Sequence, residues 1–191
     1  MSSGLAVVRA AAPNVHPWYA IRVRSRFEFV TLAVLGEGGY ETFLPSYRSR
    51  RAWSDRMKEV EIPLFPGYLF CRFDAADPYR VLNSPGVVNV ISVGPRPLPV
   101  DEQEVASIQK VCRSGRDTQP WPFLQVGRRV RVECGPLAGT EGIVLEVKSV
   151  CRIVVSLTLL QRSVSTEIER EWIRPVHSSR MRKNEPGTGY A

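Results

Sequence analysis

Few residues of this chain are spaced for bond chemistry. His16 and His177 stand near its two ends, and Cys71, Cys112, Cys134 and Cys151 never fall at C-x-x-C spacing. A zinc site needs such clusters, so no metal or other cofactor is expected. The chain also lacks a phosphate-cradling P-loop, a G-x-S-x-G nucleophile turn and an H-E-x-x-H pair. Binding is what the residue types suit. Arg22, Arg24 and Arg26 form one run of cations, and Arg48, Arg50, Arg51, Arg56 and Lys58 crowd around Tyr47 and Trp53. Such a mixture can hold a nucleic-acid strand by phosphate contacts and stacking, or it is a solvated face. A second group, Trp18, Tyr19, Phe65, Pro66, Gly67 and Tyr68, offers large rigid side chains beside a Pro-Gly turn. These residues suit a protein-docking patch, with core packing as the alternative. Phe70 reads as core, whereas Phe65 and Tyr68 read as interface.

Composition sets the frame. The chain has 191 residues, 43% of them hydrophobic, which allows one domain or two small ones with a packed core. Lys and Arg number 26 against 19 Asp and Glu, a formal net charge of +7. That balance fits a neighbour of nucleic acid or of a polymerase surface, and equally an ordinary soluble protein. Arg outnumbers Lys, and its planar fork favours phosphate. Cys71 and Cys112 fall in apolar-periodic segments and read as core. Free thiols and the absence of a signal peptide predict a cytoplasmic protein, and the apolar stretch within 1–12 is too short to span a membrane.

The elements that must position these groups fall into two units. Residues 1–16 read as an arm, 17–113 as a first domain, 114–122 as a linker, 123–176 as a second domain and 177–191 as a basic tail. In the first domain, strands are expected at 18–23, 42–44, 67–73 and 87–93, with a hairpin of 47–53 and 57–62 turning at 54–56. Ser25 and Glu28 form a capping-box pattern before a helix whose shared face is Phe27, Val30 and Val34. Gly36, Gly38 and Gly39 stop it. A short helix is expected at 77–82. Asp101 and Glu104 form a second capping box, opening a helix lined by Val105, Ile108 and Cys112. This interleaving predicts an α+β fold, an α/β sandwich on a mainly antiparallel sheet. The second domain shows five short alternating strands near 129–133, 143–148, 152–160, 163–168 and 172–173, a small SH3-like β-barrel.

The segments Pro63-Leu64-Phe65-Pro66-Gly67-Tyr68-Leu69-Phe70 and Val130-Arg131-Val132-Glu133-Cys134-Gly135-Pro136-Leu137-Ala138-Gly139-Thr140-Glu141-Gly142-Ile143-Val144 carry a family resemblance. The first resembles the core strand of the NusG N-terminal domain, and the second resembles the KOW motif. Trp18-Tyr19 at the first strand and Ser84-Pro85-Gly86-Val87 before a later one support it. The similarity covers roughly 18–176 in family order. The runs at 63–70 and 154–164 look more like the RfaH and UpxY paralogs than like housekeeping NusG.

The resemblance implies a bacterial transcription elongation and antitermination factor, monomeric and not an enzyme, serving long operons such as those for polysaccharides or other exported products. The Trp18, Tyr19, Phe65, Pro66, Gly67 and Tyr68 patch would receive the β′ clamp helices of RNA polymerase. Tyr79 and Arg80 align near the segment that approaches the β gate loop, although the His-Thr-Thr run of RfaH-like proteins is missing here. The two cation runs would hold the displaced non-template DNA strand. Leu159, Leu160, Gln161 and Arg162 form the candidate KOW contact for NusE or Rho. The intact Gly-Pro-Leu-Ala-Gly argues for a constitutive barrel. A ribosome- or RNA-binding KOW protein is the alternative, and it leaves the first domain without a role.

Overall fold

In the computed structural model the chain builds two antiparallel sheets joined through a helix and one shared hydrophobic cluster. The structure describes residues 8–9, 16–53, 56–121, 127–147 and 150–176, without the side chains of 8–9, 50–53, 56–58, 146–147 and 150. The expected tail at 177–191 and most of the expected arm lie outside the described residues.

The first half runs β1 (Val8–Arg9), β2 (Trp18–Val23), α1 (Glu28–Glu37), β3 (Glu41–Phe43), β4 (Ser46–Trp53), β5 (Arg56–Pro63), β6 (Tyr68–Arg72), α2 (Tyr79–Leu82), β7 (Val87–Val90), β8 (Ser92–Val93), β9 (Arg96–Pro97) and α3 (Glu102–Arg113). Its main sheet has the order β1-β3-β6-β2-β7. β4 and β5 form a separate hairpin in which Trp53 faces Arg56, and β8 pairs β9. Alternation along β2 and β6 sorts the side chains. Trp18, Ala20 and Phe70 join the cluster shared with α3 and the second sheet. Tyr19, Ile21, Val23, Leu69 and Cys71 fill a second cluster with Leu32 and Leu35 of α1 and Val81 of α2.

Helix α1 departs from its sequence signal. Its N-cap is Phe27, with no side-chain cap, so Ser25 does not open a capping box. Glu28 is buried and accepts a hydrogen bond from the Gly67 N–H at 2.9 Å. The buried face is Glu28, Thr31, Leu32 and Leu35, so the expected face of Phe27, Val30 and Val34 points the other way. The helix is apolar on nearly all sides, and periodicity alone could not choose between them. Helix α3 follows its signal: Asp101 accepts from the N–H groups of Gln103 and Glu104, and Val105, Ile108 and Cys112 are buried.

Arg72 fastens α3 to the sheet. Its guanidinium lies 4.6 Å from the Trp18 ring, pairs with Glu41 at 3.1 Å and with Glu102 in the first turn of α3, and donates to the His16 carbonyl at 2.7 Å. A fixed Arg fork satisfied on several sides is worth more than an exposed pair.

The second half comprises β10 (Thr118–Trp121), β11 (Arg128–Val132), β12 (Glu141–Val147), β13 (Val150–Leu157), β14 (Arg162–Glu167), a 3-10 turn (Arg170–Trp172) and β15 (Ile173–Pro175). The strand order is β10-β14-β13-β12-β11-β15. The five expected strands are present, and β10 is a sixth. It comes from the stretch read as a linker: 118–121 pairs in register with 163–166 of β14. Proline and polar residues suggested a loop, but Thr118 is buried and β10 lies at a sheet edge, where Pro120 is tolerated.

Arg116, just before β10, donates to Glu169 at 2.8 Å and lies 4.7 Å from the Trp172 ring just before β15. The two ends of the sheet therefore meet, and the sheet curls on itself as an SH3-like unit. Gly135 sits at φ +75 against the Trp172 ring, and a Cβ on Gly142 would collide with the Val154 carbonyl. The KOW-like glycines thus set backbone geometry, as their sequence pattern suggested.

Candidate functional site

Glu28 builds the site from below. Its carboxylate holds the Gly67 N–H, and Gly67 adopts φ +81 between Pro66 and Tyr68. The turn closes when the Tyr68 N–H donates to the Phe65 carbonyl at 3.1 Å, and β6 starts there. Tyr68 is then on the same sheet face as Phe70, with Arg22 of β2 directly across from it. Pro66 is exposed and Gly67 and Tyr68 are half-buried, so this turn is the accessible rim of an aromatic surface.

The remaining aromatics are deeper than a free patch would be. Trp18 and Phe65 are each 1% exposed. Trp18 meets Phe43 edge-on, with ring centroids 6.5 Å apart, and Phe65 meets Phe70 at the same separation. Tyr19 faces the opposite side, 4.7 Å from the Phe73 ring, because adjacent strand residues alternate. Trp18 and Tyr19 therefore cannot line one patch. Tyr79 and Arg80 are exposed on α2, also on the far side of the sheet from Tyr68.

What covers the Tyr68 face is the second unit. Arg162 places its guanidinium 5.5 Å from the Tyr68 ring. Leu159 and Leu160, on the β13–β14 turn, are half-buried against the cluster that contains Trp18, Phe65 and Phe70. Glu104 of α3 accepts from the Thr158 N–H at 3.0 Å and the Thr158 hydroxyl at 2.6 Å. The second capping box is thereby left half-made, with Glu104 turned outward. Lys110 donates to the Ala138 carbonyl at 2.8 Å. The turn read as a site for a second partner, Leu159, Leu160, Gln161 and Arg162, thus lies against this chain's own first half. Gln161 is exposed at φ +51, the left-handed conformation that tightens the turn. Sequence reasoning missed Glu104, Lys110 and Thr158 as the groups that join the halves. No local pattern marks contacts made across 54 and 28 residues.

The contact leaves an open crevice of about 720 Å³ between α3 and the β11–β13 region, lined by Glu104, Lys110, Arg129, Arg131, Glu141 and others. Such a partly solvated, polar junction resembles a reversible interface more than a domain core.

The cations do not gather on one surface. Arg22 is on the Tyr68 side, while Arg24 and Arg26 lie in the turn that leads to α1. Arg48 is exposed and pairs with Glu59 at 4.0 Å. Strand pairing places Arg50, Arg51, Arg56 and Lys58 on the β4–β5 hairpin, but their side chains lie outside the described residues. Among the described residues no group of three His, Cys, Asp or Glu could hold a metal, and no helix is long and apolar enough to cross a membrane. Burial pushes the thiols of Cys71 and Cys112 up to about 12, which fits their reading as core.

A family model described as "Transcription termination factor nusG" matches residues 16–109. The "Transcription termination/antitermination protein NusG" of Buchnera aphidicola subsp. Baizongia pistaciae is 30% identical over 166 residues, 80% of this chain and 92% of that protein. The protein of the same description from Pseudomonas aeruginosa is 27% identical over 173 residues, 83% of this chain and 98% of its own length. The solved structure "Domain interaction in Thermotoga maritima NusG" covers 84% of this chain and 97% of that chain, with 21% identity and a TM-score of 0.47.

Proposed function

The chain belongs to the NusG family of transcription termination/antitermination proteins, and from that premise we propose that it is an elongation factor that binds RNA polymerase through the Tyr68 face and favours processive transcription. The observation that carries this reading is the surface around Pro66, Gly67 and Tyr68: a rigid aromatic turn, fixed from behind by Glu28 and rimmed by Arg22. Large, low-entropy side chains of this kind dominate protein interfaces. The β′ clamp helices would be the partner of this face, and Tyr79 and Arg80, exposed on the opposite side, would approach the β gate loop. The factor would act by depopulating a paused polymerase state, without bond chemistry of its own.

Docking of the second unit adds a condition. Polymerase and the β13–β14 turn would compete for Tyr68, so binding requires the halves to part. Parting frees Leu159, Leu160, Gln161 and Arg162 at the same moment for NusE or Rho, tethered near the transcript by the chain itself. The β4–β5 hairpin, with Arg48, Arg50, Arg51, Arg56 and Lys58, would then follow the non-template strand. Long operons for polysaccharides or other exported products, read in the cytoplasm, are the proposed targets.

Affinity capture tests the reading. The full chain should retain bacterial core RNA polymerase, and Tyr68→Ala should weaken that binding by about 2 kcal/mol. Capture of ribosomal RNA without polymerase subunits would instead support a ribosome- or RNA-binding role.

A further inference from the structure

Helix α1 presents an apolar face to solvent. Phe27, Val30 and Val34 follow one another at i, i+3 and i+7, and Phe27 and Val30 are 39% and 49% exposed. This flank looks toward the α2–β7 connection. The Thr31 hydroxyl donates to the Pro85 carbonyl at 2.7 Å, and a Cβ on Gly86 would stand 2.6 Å from the Cβ of Phe27. Tyr79 and Leu82 of α2 and Val88 of β7 are exposed as well. A surface helix normally carries polar residues on its outer face, and a contiguous exposed apolar patch marks an interaction site. The surface is separate from the Tyr68 face, because α1 and α2 cover the other side of the sheet.

Its end at the start of α1 is cationic. Arg24 and Arg26 stand at the N-terminal end of α1 and Arg80 on α2, all exposed, and none forms an ion pair among the described residues. The nearest carboxylate in sequence, Glu28, is turned inward to Gly67, whereas Arg80 and Asp77 both lie within electrostatic reach of Tyr40, past the far end of α1. Arg26 is held at φ +69, an uncommon conformation for a non-glycine residue, which fixes the cation rim at the start of the helix.

We propose that the exposed flank of α1 docks a short acidic amphipathic helix from a partner protein, with its apolar side on Phe27 and Val30 and its carboxylates toward Arg24 and Arg26. A second copy of this chain would set the arginine rims against each other. A nucleic-acid strand would want a track of stacking rings, whereas aliphatic Val30 and Val34 continue this flank beyond Phe27.

The test titrates the isotope-labelled full chain with a synthetic amphipathic peptide, Leu on one face and Glu on the other, and with its twin carrying Lys for Glu. The proposal expects saturable NMR shifts confined to 24–34 and 79–88, with binding at least about ten-fold weaker for the Lys twin and for the Arg24→Glu, Arg26→Glu double variant. Val30→Glu should abolish peptide binding and leave capture of RNA polymerase at the wild-type level, which separates this site from the Tyr68 face. Equal or absent binding of the two peptides, shifts on the barrel instead, or loss of polymerase capture in Val30→Glu would overturn it. So would self-association abolished by Val30→Glu, or tighter binding of a single-stranded oligonucleotide at the same residues.

Discussion

The guanidinium of Arg162 lies 5.5 Å from the ring of Tyr68 and joins the two halves of the chain at the point where a partner would dock. Removing it should loosen the closed form. A cation–π contact at a partly exposed site is worth about 0.5–1 kcal/mol, and the Glu104 bonds to Thr158 add a charge-assisted contribution of similar or larger size. The apparent affinity of a protein whose competent form is scarce scales with that form's population. Arg162→Ala combined with Glu104→Ala should therefore raise polymerase affinity, by roughly ten-fold, while Tyr68→Ala lowers it. Titration of labelled protein with core polymerase reads both. A fall in affinity for the Arg162, Glu104 variant would mean that the barrel helps binding.

Glu28 supports the Tyr68 turn through one hydrogen bond to Gly67. Glu28→Ala leaves the Gly67 N–H without that acceptor and removes a buried side chain, a cost of about 1–3 kcal/mol. The urea midpoint should drop accordingly, whereas Glu28→Gln, which keeps a carbonyl oxygen, should lose much less. Equal losses would show that packing, not the hydrogen bond, holds the turn.

Two glycines, Gly94 between β8 and β9 and Gly142 in β12, are not equivalent. Gly142→Ala drives a methyl into the Val154 carbonyl, a backbone atom that cannot step aside, while Gly94→Ala meets open space and suffers only from its φ of +58. The first should destabilise the fold by about 2–3 kcal/mol and the second by about 1 kcal/mol. Thermal unfolding distinguishes them, and similar midpoints would contradict the packing described.

Cysteine titration gives a pH test. Burial raises the Cys71 and Cys112 thiols from an ordinary value of 9.0 to about 12. Between those values the unfolded chain has released these protons and the folded chain has not, so stability is full below pH 9 and falls as pH rises toward 12. At pH 8 a thiol reagent should modify exposed Cys134 quickly and leave Cys71 and Cys112 untouched until unfolding. Prompt reaction of all four would mean that the core opens far more readily than its burial implies.

Much of the fold was legible in the sequence because local rules and tertiary demands agree there. The apolar run Trp18 to Val23, the pairing of 46–53 with 56–63 and the Asp101 cap each have one sensible solution. Legibility failed where local signals tie. α1 is apolar almost all round, so the sheet and not the sequence pattern chose its buried side, and Glu28 went to Gly67 instead of a capping box. The segment 118–121 looks like a linker by composition, and becomes a strand because β14 offers an unpaired edge. At the site, the Pro66-Gly67-Tyr68 turn was readable. The closure over it was not, because Arg162, Thr158 and Glu104 meet only after both halves have folded.

The most direct test is in vitro transcription by bacterial RNA polymerase across a pause and a terminator, with the wild-type chain and with Tyr68→Ala. The account predicts shorter pauses and more read-through with the wild type, both lost in Tyr68→Ala while that variant stays folded. Unchanged pausing and termination with the wild type, or full activity in Tyr68→Ala, would contradict it.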